Sequence, residues 1–255
     1  MMDITILAKI YLSMDKPEEI KHLLNPINFH IPVLRNNPYP NIHSTSDRRD
    51  LIKYNIWREE VAKLSAILNS LILIISKTKL YEITNGLFEK YMAIAEKHMG
   101  DLEVGTIEFQ WATYLQNSGQ IEKAREHFLL CSQIREKYGE TLALSDVLYN
   151  LGLTEFYINQ KDKSQAIEYV QRALRIRKDR IQKPSMEFHA LLETLGKFMM
   201  EIEDYWSAYK YLFEAFSLCR NFLDAKHKIR KRSQVLLIFL YRTLIKHVTE
   251  FPREG

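Results

Sequence analysis

The chain has 255 residues, and its 36 Lys and Arg nearly balance its 32 Asp and Glu, leaving a net charge of +4. That small excess, with no base-stacking motif beside it, argues against nucleic acid as the partner. At 46% hydrophobic and 27% charged, the composition supplies a core and excludes disorder as the default.

Breakers are scarce. Of 7 Pro, most lie between Pro26 and Pro40, so the remainder can run as helix and an all-α fold is expected. The longest apolar runs, Leu71 to Ile75 and Val235 to Tyr241, fall far short of the ~20 residues a membrane-spanning helix needs. MMDITILAKIYL lacks the basic start and cleavage pattern of a secretory signal, and a cytoplasmic protein is expected. Cys131 and Cys219 lie on predicted second helices, at small-residue or neighbouring positions, and read as buried thiols.

In chain order, residues 1–24 read as a degenerate helix pair, Asp3 to Met14 and Pro17 to Leu24. Its second helix is cut short by Pro26, and an array opening in mid-pattern suggests a fragment or isoform of a longer protein. Residues 25–50, NPINFHIPVLRNNPYPNIHSTSDRRD, combine four prolines with Asn, Ser and Asp and read as an inserted loop or linker. The array proper is expected over 51–222. Its first, degenerate unit (51–98) pairs a helix from Ile52 to Ser76 with one from Leu80 to His98.

Three clearer units follow at 104–138, 142–180 and 186–222. Their helices are expected at Thr106 to Asn117 with Ile121 to Lys137, Leu142 to Tyr157 with Ser164 to Arg177, and Met186 to Ile202 with Trp206 to Asn221. A last helix within 226–250, with an apolar face including Val235, Leu236, Phe239, Leu240 and Leu244, reads as a closing cap.

The register of the three clear units is explicit. Ala124, Ala166 and Ala208 recur about every 42 residues, a spacing of the size found in helical repeats. Each is followed two helical turns later by a second small residue, Cys131, Ala173 or Ala215. Upstream stand Trp111-Ala112, Leu151-Gly152 and Leu195-Gly196, where small residues let a second helix approach. The middle unit carries two extra residues in its turn, Asn159 to Lys163.

These pairs resemble the tetratricopeptide repeat, and the period and the tails CSQIREKYGETLALSDVLYNLG and RALRIRKDRIQKPSMEFHALLETLG resemble its long-period type, as in kinesin light chains and nephrocystin-3. The resemblance implies a right-handed α-solenoid and a non-catalytic scaffold or adaptor that takes a peptide or helix on the side lined by first helices. Asn150 matches the family's groove asparagine, whereas Gln110 and Thr194 stand at the corresponding positions. In that register the inward-facing residues are Phe109, Gln110, Thr113 and Asn117, then Tyr149, Asn150, Leu153 and Phe156, then Glu193, Thr194, Lys197 and Met200. The resemblance to nephrocystin-3 implies an alternative, the C-terminal sensor part of a NACHT-type nucleotide switch.

Motifs for catalysis are absent: there is no phosphate loop, no His-Glu-x-x-His, no paired cysteine spacing and no nucleophile elbow. No enzyme activity, cofactor or metal is expected, and Glu193 and Glu201 read as residues of a solvated helix face. Two basic clusters remain, Arg172 to Lys183 and Lys226 to Arg232. They are expected on one rim, as solvated helix ends or as a landing place for an acidic partner.

Overall fold

The structure, a computed structural model, describes residues 48–76, 81–159 and 161–250, with Ala8 and Glu19 as isolated positions. Apart from Ala8 and Glu19, the expected helix pair at 1–24 lies outside the described residues, as do all but the last three residues of the expected loop at 25–50. Among the described residues the regular structure is helical: α1 (Arg48–Ile75), α2 (Tyr81–His98), α3 (Asp101–Asn117), α4 (Ile121–Glu136), α5 (Leu142–Ile158), α6 (Ser164–Ile181), α7 (His189–Glu201), α8 (Tyr205–Phe222) and α9 (Lys228–Glu250), with a 3-10 turn at Met186–Phe188. The chain divides into two compact units between Tyr114 and Leu115, within α3.

In the first unit α1 packs on α2. Leu64, Leu68, Leu71 and Ile75 of α1 recur three or four residues apart, and so share a face with Leu87, Phe88, Tyr91 and Ile94 of α2 as their core partners. Trp111 lies flat on Phe88, ring centroids 5.4 Å apart, and donates its indole N–H to Asn85 Oδ1 at 3.2 Å. The side chains of Ile56 and Trp57, expected on the buried side of α1, lie outside the described residues.

The second unit is built from the repeat. Antiparallel pairs α5/α6 and α7/α8 stack in order, with α4 against α5, α6 against α7 and α8 against α9. The small residues of the outer helices, Ala124, Cys131, Ala166, Ala173, Ala208 and Ala215, are buried, as is Cys219. They allow close approach. A Cβ added at Gly152 would lie 2.5 Å from Val170 Cγ2 and 2.9 Å from the Ala166 carbonyl oxygen, and one at Gly196 would lie 2.5 Å from Leu212 Cγ. The turn 159–163 between α5 and α6 is two residues longer than 118–120 and 202–204, which is the insertion read in the middle unit.

Where the helices begin and end departs from the sequence reading for local reasons. Helix α1 already includes Arg48 to Asp50. Helix α3 starts at Asp101, ahead of Thr106, because Gly100 ends α2 at φ +90 and Asp101 and Glu103 place carboxylates in the first turn, where the helix dipole favours them. Helix α6 continues to Ile181, beyond Arg177, and ends on Gln182 in the left-handed region. Met186 opens a 3-10 turn capped by Ser185.

The largest departure is in α9. Leu240 is buried and Leu236 and Leu244 are half-buried, but Val235 and Phe239, expected on the same buried face, are 65% and 59% exposed. They stand on the opposite side of the helix.

A groove between the inner helices of the second unit

Tyr149, Leu153 and Phe156 recur on one face of α5, and Thr194, Lys197 and Phe198 on the facing side of α7. Together with Ala190, Tyr157, Glu193, Glu201 and Arg232 they line a cavity of about 400 Å³. Phe156 and Phe198 stack in parallel with centroids 3.7 Å apart, and the Tyr149 hydroxyl lies 3.2 Å from Thr194 Oγ1. These contacts join the first helices of two repeats. A second cavity of about 720 Å³ meets the first at Phe156, Tyr157 and Glu201 and runs beside the turn between α5 and α6. There Lys163 holds its ammonium 4.1 Å from the centroid of the Phe156 ring and donates to the Phe156 carbonyl oxygen at 2.5 Å.

Beneath the groove lies a buried carboxylate. Glu193 is 3% exposed, which corrects its reading as a solvated residue. Its Oε1 accepts from Lys197 Nζ at 2.7 Å and Arg232 Nη2 at 2.8 Å, while His189 Nε2 lies 3.5 Å from Oε2. Burial pushes the carboxyl pKa up, but the two cations outweigh it and hold Glu193 below its ordinary value. His189 Nε2 also lies 2.7 Å from Ser233 Oγ of α9, and burial pulls the imidazole below its ordinary value. The periodicity of α7 alone could not show this arrangement, because Arg232 and Ser233 arrive from α9.

The expected groove residues thus separate into groups. Tyr149, Leu153, Phe156, Glu193, Thr194 and Lys197 come together, with Glu193 and Thr194 buried against their neighbours rather than open. Asn150 does not line the cavity: its Nδ2 donates to the Asp146 carbonyl oxygen of its own helix at 2.9 Å. Asn117 is exposed at the end of α3. Phe109, Gln110 and Thr113 belong to the first unit, where all three are half-buried and Thr113 Oγ1 donates to the Phe109 carbonyl oxygen at 2.8 Å. Ala190, Tyr157, Phe198, Glu201 and Arg232 were not among the groove residues read from the sequence. Phe198 had a signal, since it stands four residues after Thr194 on the same helical face.

The basic clusters resolve differently from a free rim. Arg172 reaches Glu136 at 2.6 Å and Glu140 at 3.5 Å, Lys178 reaches Glu214 at 2.7 Å, and Arg177 binds Asp146 and lies 3.5 Å from Glu187. Arg172 and Lys178 clamp one repeat to the next, whereas Arg177 ties α6 to α5 within its own repeat and reaches the following one only at Glu187. In the second cluster Arg232 turns to Glu193, and Arg230 donates to the Leu223 carbonyl oxygen at 2.9 Å.

Stacked helix pairs with small residues at each crossing run along residues that the tetratricopeptide repeat family model matches. Residues 103–179 match that family. Two solved structures share the tetratricopeptide-type fold at 17% identity. One is BtubC (BKLC) from P. vanneervenii, with a TM-score of 0.66 over 77% of this chain and 78% of that one. The other comprises the nearly identical TPR-like repeats assigned to a kinesin light chain of Podosopora anserina, with a TM-score of 0.62 over 73% of this chain and 89% of that one. No curated protein matches the chain in sequence. The all-α solenoid class is therefore that of tetratricopeptide arrays, whose stacked pairs form surfaces for binding other proteins.

Chemically the groove is suited to holding a ligand. It offers an aromatic floor, two hydroxyls and cations already shared with a carboxylate. Among the described residues no group of three His, Cys, Asp or Glu is placed to hold a metal ion, and no helix is long and apolar enough to cross a membrane.

Proposed function

We propose that this protein is a non-catalytic interaction module whose groove between α5 and α7 receives a peptide or a helix from a protein partner. The cavity of about 400 Å³ carries the proposal: it combines an apolar floor, Leu153, Phe156 and Phe198, with polar groups at its edge, Tyr149, Thr194 and Lys197. Binding sites commonly pair apolar burial with a few fixing polar groups. Tyr149, Leu153 and Phe156 accept apolar side chains, the Tyr149 hydroxyl bonds a peptide backbone, and Lys197 meets a carboxylate. Phe109, Gln110 and Thr113 hold the equivalent register on α3 and are proposed as contacts of the first unit in its own right. A cytoplasmic site of action belongs to the same proposal and rests on the low cysteine content, 2 in 255 residues.

The test selects peptides from a random displayed library on the full chain and titrates the best synthetic peptide. Replacing Tyr149 and Leu153 by Ala is expected to weaken binding by about tenfold or more, equivalent to ~1.4 kcal/mol. Replacing Arg175, which lies 3.7 Å from Glu140, and Lys178 by Ala on the clamped edge is expected to change it little. The opposite ranking would place the site on that edge.

A further inference from the structure

Helix α9 is covered on one side only. Ser233 and Leu240 are buried, and Leu236, Leu237 and Leu244 are half-buried against α7 and α8. On the other side Val235, Ile238, Phe239 and Ile245 are exposed by 65%, 46%, 59% and 47%. At ~100° per residue they fall within an arc of about 120°, a single stripe roughly 15 Å long. Lys228, Lys231 and Arg242 are exposed on the same arc. From Lys228 to Thr249 the helix carries no Asp or Glu.

The place of α9 in the stack says what kind of element fits the stripe. It packs on the outer helix α8 as α7 packs on α6, and His189 with Ser233 joins α7 to α9 as Tyr149 with Thr194 joins α5 to α7. It is thus an inner helix by position. Inner helices α5 and α7 are each covered by an outer helix, α6 or α8, whereas among the described residues the face of α9 that carries Val235 and Phe239 stays exposed. A helix face that met only water would be polar, and this one presents an apolar seam among cations.

We propose that the exposed face of α9 docks an acidic amphipathic helix of another protein, lying on α9 as α6 lies on α5. Charge selects this occupant. A second copy of the same face would set Lys228, Lys231 and Arg242 against their own kind with no carboxylate between, a repulsive arrangement. A seam one helix wide suits a helix of three to four turns better than the flat surface of a bilayer.

The test uses the full chain and a fluorescein-labelled stapled helix of roughly 18 residues, with Leu and Ala at i, i+3, i+4 and i+7 and Glu elsewhere, beside a twin with Lys for each Glu. Fluorescence anisotropy is expected to show saturable binding of the Glu helix, with the Lys twin about tenfold weaker or worse. Phe239→Asp and Arg242→Glu, both at exposed positions, are expected to keep the thermal midpoint and to weaken binding by about tenfold. Tyr149→Ala in the groove is expected to leave it unchanged. The proposal is overturned if the Glu helix does not saturate, if both twins bind equally, or if Phe239→Asp has no effect. It is overturned equally if Tyr149→Ala removes the binding, if sedimentation shows a dimer that Phe239→Asp dissolves, or if only phosphatidylserine vesicles bind.

Discussion

At Gly152 the absence of a side chain sets the distance between α5 and α6. Val170 and the Ala166 carbonyl already occupy the space a Cβ would need, so Gly152→Leu should overpack the crossing and cost about 1 to 3 kcal/mol or more. Urea titration of the variant measures this, and an unchanged midpoint would mean that the helices do not meet there. His189 gives a second residue-scale expectation, in pH. Its folded pKa lies below the ordinary value because burial disfavours the imidazolium, with Glu193, Lys197 and Arg232 as the charged groups around it. As pH falls below about 6.5 the unfolded chain takes up a proton that the folded chain resists, so stability is lost towards acid. The contribution of Glu193 has the same sign but lies lower, below the ordinary carboxylate range near ~4.3. Thermal midpoints between pH 7.5 and 5 should therefore fall less for His189→Gln than for the parent chain, and parallel curves would contradict this.

Individual helices start where the capping chemistry allows. Thr141 accepts the Leu144 N–H at 3.2 Å at the head of α5, and Thr141→Ala should cost about 0.5 to 2 kcal/mol while Thr141→Ser keeps most of it. Burial separates two contacts between repeats more strongly. Phe198, buried against Phe156, should cost about 3 to 5 kcal/mol when cut to Ala. Lys178, on a half-exposed ion pair with Glu214, should cost about 0 to 1 kcal/mol. Equal losses in denaturant titrations would show that the clamp on α6, rather than the aromatic stack, joins the repeats. The spacing of Ala124, Ala166 and Ala208 makes these helices and their crossings legible in the sequence, because small residues at a fixed period leave few ways to pack. Helix ends were less legible: Asp101 starts α3 through a dipole effect, with Gly105 inside the helix to obscure it.

Across the second unit, the groove was legible only as far as one helix can reveal it. Tyr149, Leu153, Phe156 and Lys197 followed from which side of α5 and α7 faces inward. The burial of Glu193 did not, because it depends on Arg232 and Ser233, which sequence periodicity assigns to a different element some forty residues away. Val235 and Phe239 were misplaced for a related reason: α9 is apolar on both sides, so its pattern cannot say which side the stack covers. Both misreadings concern charges and faces that only the stacking of repeats brings together.

In the proposed function a partner is received between α5 and α7. Backbone amide chemical shifts of the full chain, titrated with the selected peptide, test it most directly. Perturbations are expected to centre on Tyr149, Leu153, Phe156, Thr194 and Lys197, with the clamped edge at Arg175 and Lys178 silent. Perturbations centred on that edge, with the five groove residues unmoved, would contradict it.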